Sequence, residues 1–468
     1  MTVDVVVIGG GIAGLSAAFE LQKRGLSFVV LERAPRTGGV ILSEQVGGFV
    51  VDGGPDSLLT QKPEGIALCE ELGIAGRLVP TRPPRLAYIQ RDGRLHALPA
   101  NSVLGIPTRV GPFIRTGLFT WAGKMRMAAE MFVPARREDG DESIGSFMRR
   151  RFGDEAVDYL AEPLLAGIHA GDVDRLSIRA LFPRFVDTER KHGSLLRAFR
   201  RQRAAAPSPD GVFRSFPNGL SELVDAVTKA LPAPSIRLGT AATRISHAPR
   251  PERAQRVEGW RVETSDGTTY SGRAVIVTSP AYVTADLVRG VDAELSRLCA
   301  EIPYASSGTI ALAFPRPAVA HPLNGSGFVV PRVERTGIMA ASWLSSKWPN
   351  RAPDGHVLMR AFVGGARDPE ALNKRDDELV TVAMSALRPL LGISGEPSMT
   401  RVYRFERKSA QHDVGHLDRM AAIERLLSAR PGLFVTGSGF RGVGIPDCVA
   451  DARATARKVA ECLAESRS

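Results

Sequence analysis

The sequence predicts a mixed α/β protein that combines a parallel sheet built from distant parts of the chain, a second sheet and a mainly helical insertion. Three observations lead to this prediction. The first strand pattern runs directly into a glycine turn and a helix. Short β-rich segments alternate with turns between residues 300 and 410, and a late strand pattern again runs into glycines and a helix. At 468 residues the chain is also long enough for two or three domains.

The N-terminal unit is typical of a Rossmann-like dinucleotide-binding domain. Val3 to Ile8 has the β-branched pattern of a parallel strand that is buried on both faces. In the turn that follows, Gly9 permits a tight bend, Gly11 lets a pyrophosphate approach the main chain, and Gly14 allows the helix to pack closely on the strand. The N–H groups at a helix N-terminus favour an anion. We therefore expect a dinucleotide to contact Gly9, Gly11, Ile12, Ala13 and Gly14.

An acidic residue lies at the position where a dinucleotide-binding domain contacts the ribose of its cofactor. The second strand pattern ends at Glu32, about 20 residues after the glycines, which is the distance at which a carboxylate meets a ribose hydroxyl. Glu32 argues against a 2′-phosphate, so this pattern leaves both FAD and NAD open. Arg33 follows Glu32, and Arg36 with Gly38 and Gly39 could contact the pyrophosphate from the other side.

Changes in composition divide the chain into five stretches. Residues 1–81, 206–300 and 426–468 are predicted to form the three parts of the dinucleotide-binding domain. Residues 82–205 are rich in helix formers and arginine, and they are predicted to form a mainly helical insertion. Residues 301–425 are predicted to form an antiparallel sheet that makes the far wall of a cavity.

The insertion and its exit leave some alternatives open. Residues 113–132 mix apolar side chains with cations, so this stretch can lie on a membrane surface, cap a substrate cavity, or form a helical core with solvated cations. A proline-bearing linker at residues 204–211 returns the chain to α/β character. The antiparallel hairpin expected after the linker would bring Ala242 near the adenine of the cofactor. The late strand would bring Gly437 back to the same site.

Charge and composition narrow the classes of function. The net charge of +11 is compatible with nucleic acid, an anionic membrane surface or a polyanionic small substrate, but no basic run resembles a nucleic-acid tail. The four cysteines lack zinc spacing, and His412 and His416 lack a third ligand nearby, so we expect no metal site. We expect neither a signal peptide nor a spanning helix. The predicted location is the cytoplasm, with at most peripheral contact with the inner membrane face.

Longer motifs elsewhere in the chain point to one family. They are the RxGG pattern from Arg36 to Gly39, Gly54-Pro55-Asp56-Ser57, Glu162 to Asp172, Phe182-Pro183, and Gly442 to Cys448. Over nearly its whole length the chain resembles the oxygen-dependent, FAD-containing porphyrinogen oxidases of heme biosynthesis, whose Rossmann-like domain is of the amine oxidase type. This resemblance favours FAD over NAD.

Within that family the chain is most similar to the branch from Gram-positive bacteria, which oxidises coproporphyrinogen III to coproporphyrin III. The branch that acts on protoporphyrinogen IX usually has an arginine directly before the aromatic strand, where this chain has Ala87, with Arg85 nearby. The resemblance implies a six-electron oxidation of coproporphyrinogen III by oxygen, with release of hydrogen peroxide. Protoporphyrinogen IX is the alternative substrate. Flavin N5 would accept the hydride, so no catalytic side chain is predicted.

The resemblance also implies particular contacts. Lys62 matches a lysine that lines the substrate cavity, Ile168 matches a residue that packs over the tetrapyrrole, and His169 could reach the same cavity. A solvated helix start is the alternative for Lys62, and core packing is the alternative for the other two residues. Around FAD the resemblance implies contacts from Gly54, Pro55, Asp56, Ser57, Trp348, Gly442, Val443, Gly444 and Ile445.

The expected partners are a small-molecule tetrapyrrole, molecular oxygen and a ferrochelatase that receives the product, with no nucleic acid. Three other functions stay open on the sequence. They are an amine oxidase or carotenoid desaturase, a non-catalytic flavoprotein or porphyrin carrier, and an NAD dehydrogenase.

Overall fold

The computed structural model describes residues 1–98, 102–103, 106–107, 110–136, 138–201, 210–248 and 259–465. Most of the predicted linker, residues 204–209, lies outside the described residues. The predicted α/β class is confirmed, because the described chain contains two seven-stranded sheets, three small sheets and many helices. Within these ranges, no helix combines the length and the apolar character needed to cross a bilayer.

The first sheet is assembled from three separate parts of the chain. In spatial order it contains Ile236–Arg237, Phe28–Leu31, Thr2–Ile8, Thr269–Val277, Trp260–Thr264 and Ala242–His247, and Leu433–Val435 pairs with the end of Thr269–Val277. The first four of these strands and Leu433–Val435 are parallel. Trp260–Thr264 pairs antiparallel with Thr269–Val277, which is the predicted hairpin, and Ala242–His247 pairs antiparallel with Trp260–Thr264.

Helices cover both faces of this sheet, which explains why the first strand is apolar throughout. Val5 and Val7 pack on one side, whereas Val6 and Ile8 pack on the other, as the two-residue period of a strand requires. The helices on the first side are Ile12–Lys23, Ser221–Ala230 and Ile445–Glu465, with Glu64–Glu71 nearby. Those on the second side are Ala281–Val288, Ala293–Ala300 and His416–Ser428. Because both faces are covered, a ligand site is expected at the carboxyl ends of the parallel strands.

The second sheet contains the β-rich region predicted between residues 300 and 410. Its strands, in spatial order, are Met399–Ala410, Tyr304–Pro315, His356–Gly364, Ala340–Ser342, Gly327–Val329, Ala87–Arg91 and Arg94–Ala97. Neighbouring strands are antiparallel, except that Gly327–Val329 is parallel to Ala87–Arg91. The helix Asp376–Leu391 packs over one face of this sheet.

The predicted boundary of the helical insertion at residue 82 needs a correction. Ala87–Arg91 and Arg94–Ala97 form a hairpin that extends the second sheet. Asp92 and Gly93 form its turn with φ angles of 51° and 69°. Asp-Gly is a preferred sequence for a two-residue hairpin turn. Asp92-Gly93 was therefore a sequence signal for this hairpin, but the high arginine content of the region led to the prediction of a helical insertion.

Apart from the short strand pair Ser102–Val103 and Ile106–Pro107, the described remainder of the insertion is mainly helical. Its helices are Val110–Arg115, Trp121–Ala128, Ile144–Phe152, Asp154–Ala156, Glu162–His169, Ile178–Leu181, Pro183–His192 and Leu195–Arg201, and a π-helical turn at Val157–Ala161 joins the fourth to the fifth. The small sheets pair Ser43–Val46 with Phe49–Asp52, Ser102–Val103 with Ile106–Pro107, and Phe213–Ser215 with both Leu58–Leu59 and Val79–Pro80. The third of these sheets ties residues on both sides of the insertion together.

A buried ion pair organises the insertion. Arg151 and Glu130 are both fully buried and are bonded to each other. Glu130 also accepts hydrogen bonds from the Ser194 hydroxyl at 2.6 Å and from the Leu195 N–H group at 2.9 Å. The guanidinium of Arg151 donates in addition to the Gly193 carbonyl oxygen at 2.7 Å. One carboxylate therefore joins three segments of the insertion.

We predict that Glu130→Ala destabilises the protein strongly, because it removes the nearer of the two carboxylates that pair with the buried Arg151 and leaves only Glu189, at 3.3 Å. A broken buried pair typically costs about 3–5 kcal/mol. The expected result is a clear fall in the melting temperature of the FAD-loaded protein, followed by circular dichroism. Glu294→Ala is the matched control, because Glu294 pairs with Arg297 on the surface. Equal melting temperatures for the two variants would contradict the role assigned to Glu130.

Candidate functional site

The glycine turn after the first strand has no room for a side chain at Gly9 or Gly14. Gly9 has a φ angle of +109°, and a Cβ atom there would lie 2.5 Å from Thr278 Oγ1. A Cβ atom on Gly14 would lie 1.9 Å from the Gly9 carbonyl oxygen. Gly11 differs, because a Cβ atom built on it meets nothing within 4 Å. The open side of Gly11 is therefore where a phosphate can approach the main chain.

The helix that begins beside Gly11 keeps its first N–H groups available. Gly11 is the N-cap of Ile12–Lys23, no side chain caps this end, and the first turn holds no acidic residue. The first N–H groups of a helix have no intrahelical acceptor, and the helix dipole places positive potential there. Ile12 and Ala13 are 8% and 6% exposed, so a ligand would meet mainly their backbone. This arrangement suits a pyrophosphate.

Glu32 lies at the end of the second strand, where the sequence predicts a ribose contact. Its Oε2 atom accepts a hydrogen bond from the Gly10 N–H group at 2.6 Å, and its Oε1 atom accepts one from Ala34 at 2.8 Å. These bonds fix the carboxylate, and each oxygen retains capacity for a ribose hydroxyl. Thr240 donates its N–H group to the Glu32 carbonyl oxygen at 2.9 Å. The segment leading into Ala242 therefore lies beside Glu32.

Gly38 and Gly39 close against the first glycine turn. Gly38 donates its N–H group to the Gly10 carbonyl oxygen at 2.8 Å. A Cβ atom on Gly39 would lie 3.4 Å from Gly11 Cα. Both residues have positive φ angles, +98° and +60°, which favour glycine. The structure therefore brings the two glycine turns together, and we call their shared surface the cradle.

Arg36 is placed differently from the prediction. Its guanidinium donates to the carbonyl oxygens of Thr37 at 2.9 Å, Ile41 at 3.1 Å and Gly39 at 2.6 Å. These bonds fold the side chain back onto its own turn, so Arg36 shapes the cradle instead of reaching freely across it. Arg33 is exposed, and its contact with the cofactor stays a prediction.

The carboxylate of Asp56 is bound by cations from a distant part of the chain. Lys347 Nζ lies 2.9 Å from one of its carboxylate oxygens, and Arg360 lies 3.6 Å away. Burial alone would raise the pKa of Asp56, but the charges of Lys347 and Arg360 outweigh it and hold this pKa well below its usual range. The Ser57 hydroxyl donates to the same carboxylate at 3.0 Å. The Asp56 carboxylate therefore anchors the loop of residues 53–57, and a contact of Asp56 with the cofactor stays a prediction.

Trp348, which was predicted to flank the flavin, has no exposed surface. Its ring packs among apolar side chains that include Phe49 and Leu358. Its Nε1 atom donates to Asp56 at 3.3 Å. Because the protein covers the whole ring, the predicted contact with the flavin is corrected. Trp348 supports the loop of residues 53–57 from behind.

A second buried ion pair fixes the start of the same loop. Asp52 and Arg351 are both fully buried and lie 2.9 Å apart. Asp52 Oδ1 also accepts from the Leu220 N–H group at 2.9 Å. Arg360 donates to the carbonyl oxygens of Asp52 and Gly54. The role of Arg360 was not predicted from the sequence. A lone cation inside the apolar pattern of residues 357–363 nevertheless indicates a side chain that needs a buried partner.

The late glycine loop reaches the cradle, as predicted. Gly437 follows the strand Leu433–Val435 with a φ angle of +105°. A Cβ atom there would lie 3.2 Å from the Thr278 carbonyl oxygen and 3.8 Å from the Ala13 Cβ atom. Gly437 therefore lies against the start of the first helix. One crevice therefore lies at the carboxyl ends of three neighbouring parallel strands, which are Thr2–Ile8, Thr269–Val277 and Leu433–Val435.

Asp447 explains the glycines at the start of the last helix. A Cβ atom on Gly442 would lie 2.5 Å from Asp447 Cβ, and one on Gly444 would lie 2.9 Å from Asp447 Oδ2. These glycines therefore make room for a side chain of the same turn. Val443 and Ile445 are partly buried. Their contacts with the flavin, and those of the two glycines, stay predictions.

Lys62 and His169 come together at this turn. Lys62 Nζ lies 2.6 and 2.7 Å from the two carboxylate oxygens of Asp447, and the Lys62 side chain is 48% exposed. Burial lowers the pKa of His169 to about 4, and the nearby charge of Lys62 acts in the same direction. His169 is therefore neutral near pH 7. Ile168 belongs to the helix Glu162–His169, but its side chain lies outside the described part of the structure. Asp447 is the partner that the sequence analysis missed.

Comparisons with known sequences identify relatives along the whole chain. The profile of the family described as flavin containing amine oxidoreductase matches residues 12–460. The coproporphyrinogen III oxidase of Bacillus subtilis is 37% identical and covers 96% of each chain. The coproporphyrinogen III oxidase of Staphylococcus aureus is 32% identical and covers 98% of this chain and 99% of its own. Protoporphyrinogen oxidase 2 of Arabidopsis thaliana is 28% identical, with 95% and 91% covered.

Solved structures of other proteins share the fold of this chain. A structure from Exiguobacterium sp. 255-15, provisionally named a protoporphyrinogen oxidase, has a TM-score of 0.86 at 31% identity and covers 98% of each chain. Cyclohexylamine oxidase from Brevibacterium oxydans shares the fold at 15% identity, with a TM-score of 0.71 and 99% of each chain covered. The cradle fits FAD, because the open side of Gly11, the uncapped helix and Glu32 match its pyrophosphate and ribose. FAD is therefore the cofactor, and the chain belongs to the flavin containing amine oxidoreductase family.

Proposed function

We propose that this protein oxidises coproporphyrinogen III to coproporphyrin III in heme biosynthesis, with oxygen as electron acceptor and hydrogen peroxide as product. The full-length similarity to coproporphyrinogen III oxidases is the observation that carries this proposal. Protoporphyrinogen IX is the competing substrate, because the similarity extends to a protoporphyrinogen oxidase at lower identity. The two substrates share the reacting macrocycle. They differ at its rim, where the first carries four propionates and the second carries two.

The reaction removes six electrons from the porphyrinogen in three two-electron steps. Bound FAD would supply the redox chemistry, namely hydride acceptance from a meso carbon and electron transfer to oxygen. The residues of this chain supply binding, orientation and exclusion of water. The cradle holds the pyrophosphate at the helix N-terminus, and Glu32 orients the ribose. No side chain is proposed as a nucleophile or a general base.

The substrate end of the site combines one cation with one neutral imidazole. Lys62 is largely exposed, so a substrate propionate can approach its ammonium group from the solvent side while Asp447 holds the other side. His169 is uncharged near pH 7 and can exchange only neutral hydrogen bonds with a ligand. Ile168 lies one residue earlier on the same helix and is proposed to pack against the tetrapyrrole.

Exposed apolar side chains of the insertion support peripheral membrane contact at the inner face, in an otherwise cytoplasmic protein. Four large apolar side chains are exposed there: Ile114, Trp121, Met125 and Phe132, with 46%, 67%, 71% and 78% exposed. Arg115 is exposed beside them. Apolar side chains next to cations suit an anionic lipid surface. A ferrochelatase is the proposed recipient of the product.

We predict that coproporphyrinogen III is oxidised with a kcat/KM at least about tenfold higher than that of protoporphyrinogen IX. The reason is that one additional charge-assisted contact contributes about 1.5–3 kcal/mol. The measurement gives each anaerobically prepared substrate to the purified protein in air, and follows porphyrin fluorescence and peroxide. Equal or better oxidation of protoporphyrinogen IX would move the assignment to the alternative substrate. Oxidation of neither would refute both.

We predict that Lys62→Met raises the KM for coproporphyrinogen III about tenfold and leaves kcat nearly unchanged, because the ammonium binds the substrate and takes no part in the redox step. Steady-state kinetics measure both constants. Lys23→Met is the matched control, because Lys23 forms a similar exposed pair with Glu71 away from the cradle. A KM that rises equally in both variants, or in neither, would argue against substrate binding by Lys62.

We predict that the double substitution Trp121→Ser and Phe132→Ser lowers binding to vesicles that contain phosphatidylglycerol by about tenfold, because it removes apolar area that would enter the lipid interface. Cosedimentation of the FAD-loaded protein with vesicles measures this binding. Val333→Ser is the control, because Val333 is an exposed apolar residue outside the insertion. Wild-type protein that does not sediment with the vesicles would refute the membrane contact.

A further inference from the structure

Two buried histidines lie behind the late glycine loop and are not used in the proposed reaction. The rings of His412 and His416 are stacked, with centroids 3.9 Å apart and planes inclined by 9°. The two residues are 3% and 1% exposed. His412 Nε2 lies 3.1 Å from the Ser438 carbonyl oxygen, and His416 Nε2 lies 2.8 Å from the Phe440 carbonyl oxygen. We call these two residues the histidine clamp.

Both rings of the clamp must act as neutral hydrogen-bond donors. A carbonyl oxygen only accepts, so each Nε2 atom carries a proton, and a neutral ring then leaves Nδ1 bare. His416 Nδ1 is buried and has no hydrogen-bond partner in the described part of the chain. Burial lowers the pKa of His412 to about 3 and also lowers the pKa of His416. The groups facing the pair, His169 and Arg419, do not stabilise an added positive charge.

The clamp holds one side of the loop of residues 436–440. The other side of this loop lies on the cradle, where Gly437 is close to Ala13. Gly439 is equally confined, because a Cβ atom there would lie 2.3 Å from Tyr304 Oη. Without the clamp, the carbonyl oxygens of Ser438 and Phe440 would lose these donors. A buried carbonyl group without a donor is unfavourable, so the two imidazoles fix the path of the loop.

The segment that carries the clamp is also bonded to the wall of the substrate cavity. Gln411 donates from Nε2 to the His169 carbonyl oxygen at 3.0 Å. Asp413 pairs with Arg175 at 2.8 Å, just after the helix that ends at His169. Residues 411–416 therefore contact both the end of Glu162–His169 and the cofactor loop. A shift of residues 411–416 would therefore change the distance between the end of this helix and the loop of residues 436–440.

We propose that His412 and His416 are positioning residues that fix the cofactor loop of residues 436–440 and align it with the cavity wall at His169. The effect on FAD binding rests on the family alone, whereas the alignment with the cavity rests on the proposed function. Imidazole suits this role because a flat ring stacks within a core and still carries one donor. Phenylalanine would keep the stack but lose the hydrogen bond.

The test compares His412→Phe with His412→Gln, whose amide restores an N–H donor. For His412→Phe we expect about tenfold weaker FAD binding in a fluorescence titration of the apoprotein, as the loss of one buried hydrogen bond implies. We also expect about tenfold slower anaerobic reduction of bound FAD by coproporphyrinogen III at saturating FAD. His412→Gln should recover most of both losses. His192→Phe is the control, because His192 is exposed at the end of Pro183–His192.

A lower melting temperature with unchanged FAD affinity and unchanged FAD reduction would overturn the proposal, because that pattern indicates a purely structural role. The FAD titration needs no porphyrinogen, so a protein that shows the expected FAD losses but oxidises neither porphyrinogen would refute the proposed function alone. If His412→Phe does not fold, ¹⁵N NMR of histidine in the FAD-loaded wild type replaces it. Two neutral Nε2–H rings are expected near pH 7, because burial lowers the pKa of both histidines. Titration of either ring near its ordinary pKa would overturn the proposal.

Discussion

The buried charges of Asp52 and Asp56 are the constraint on which the arrangement of the two sheets depends. Asp52 pairs with Arg351, and Asp56 pairs with Lys347 and Arg360. The carboxylates lie at the end of the strand Phe49–Asp52 and in the loop that follows it, whereas the cations come from residues 347–360. Separating them would leave charges buried without partners, which is strongly unfavourable. The loop of residues 53–57 is therefore held between the first sheet and the second.

With that loop fixed, the cofactor groove is formed largely by main chain. Gly11, Gly39 and Gly437 come from three distant parts of the sequence and meet at the carboxyl ends of parallel strands. Side chains there act mostly on the backbone: Arg36 bonds its own turn, and the histidine clamp bonds the late loop. This division of labour fits a flavoenzyme, because the cofactor provides the reactivity and the protein provides a rigid, shaped environment.

Much of the fold and the cofactor end of the site could be predicted, because their signals are local. A β-branched strand followed by Gly9, Gly11 and Gly14 has one well-known structural outcome, and Glu32 lies at the spacing that this outcome requires. The predicted flavin contact of Trp348 was wrong, and the Asp56 carboxylate is held by protein side chains. Resemblance placed both residues near the flavin, but neither family motif nor spacing shows that they bond to each other and to Lys347 in a closed interior.

The sequence by itself determined the parallel sheet, its dinucleotide turn and the family, since these depend on periodicity and on residues close together in the chain. Only the tertiary structure decided which charges are paired. Lys62 reads as a free cation in the sequence, but it lies against Asp447, hundreds of residues later. His412 and His416 read as a weak metal pattern, but they are stacked donors to a distant loop. The physical reason is that burial and partner choice arise from long-range packing, which sets each charge's desolvation and its nearest acceptor.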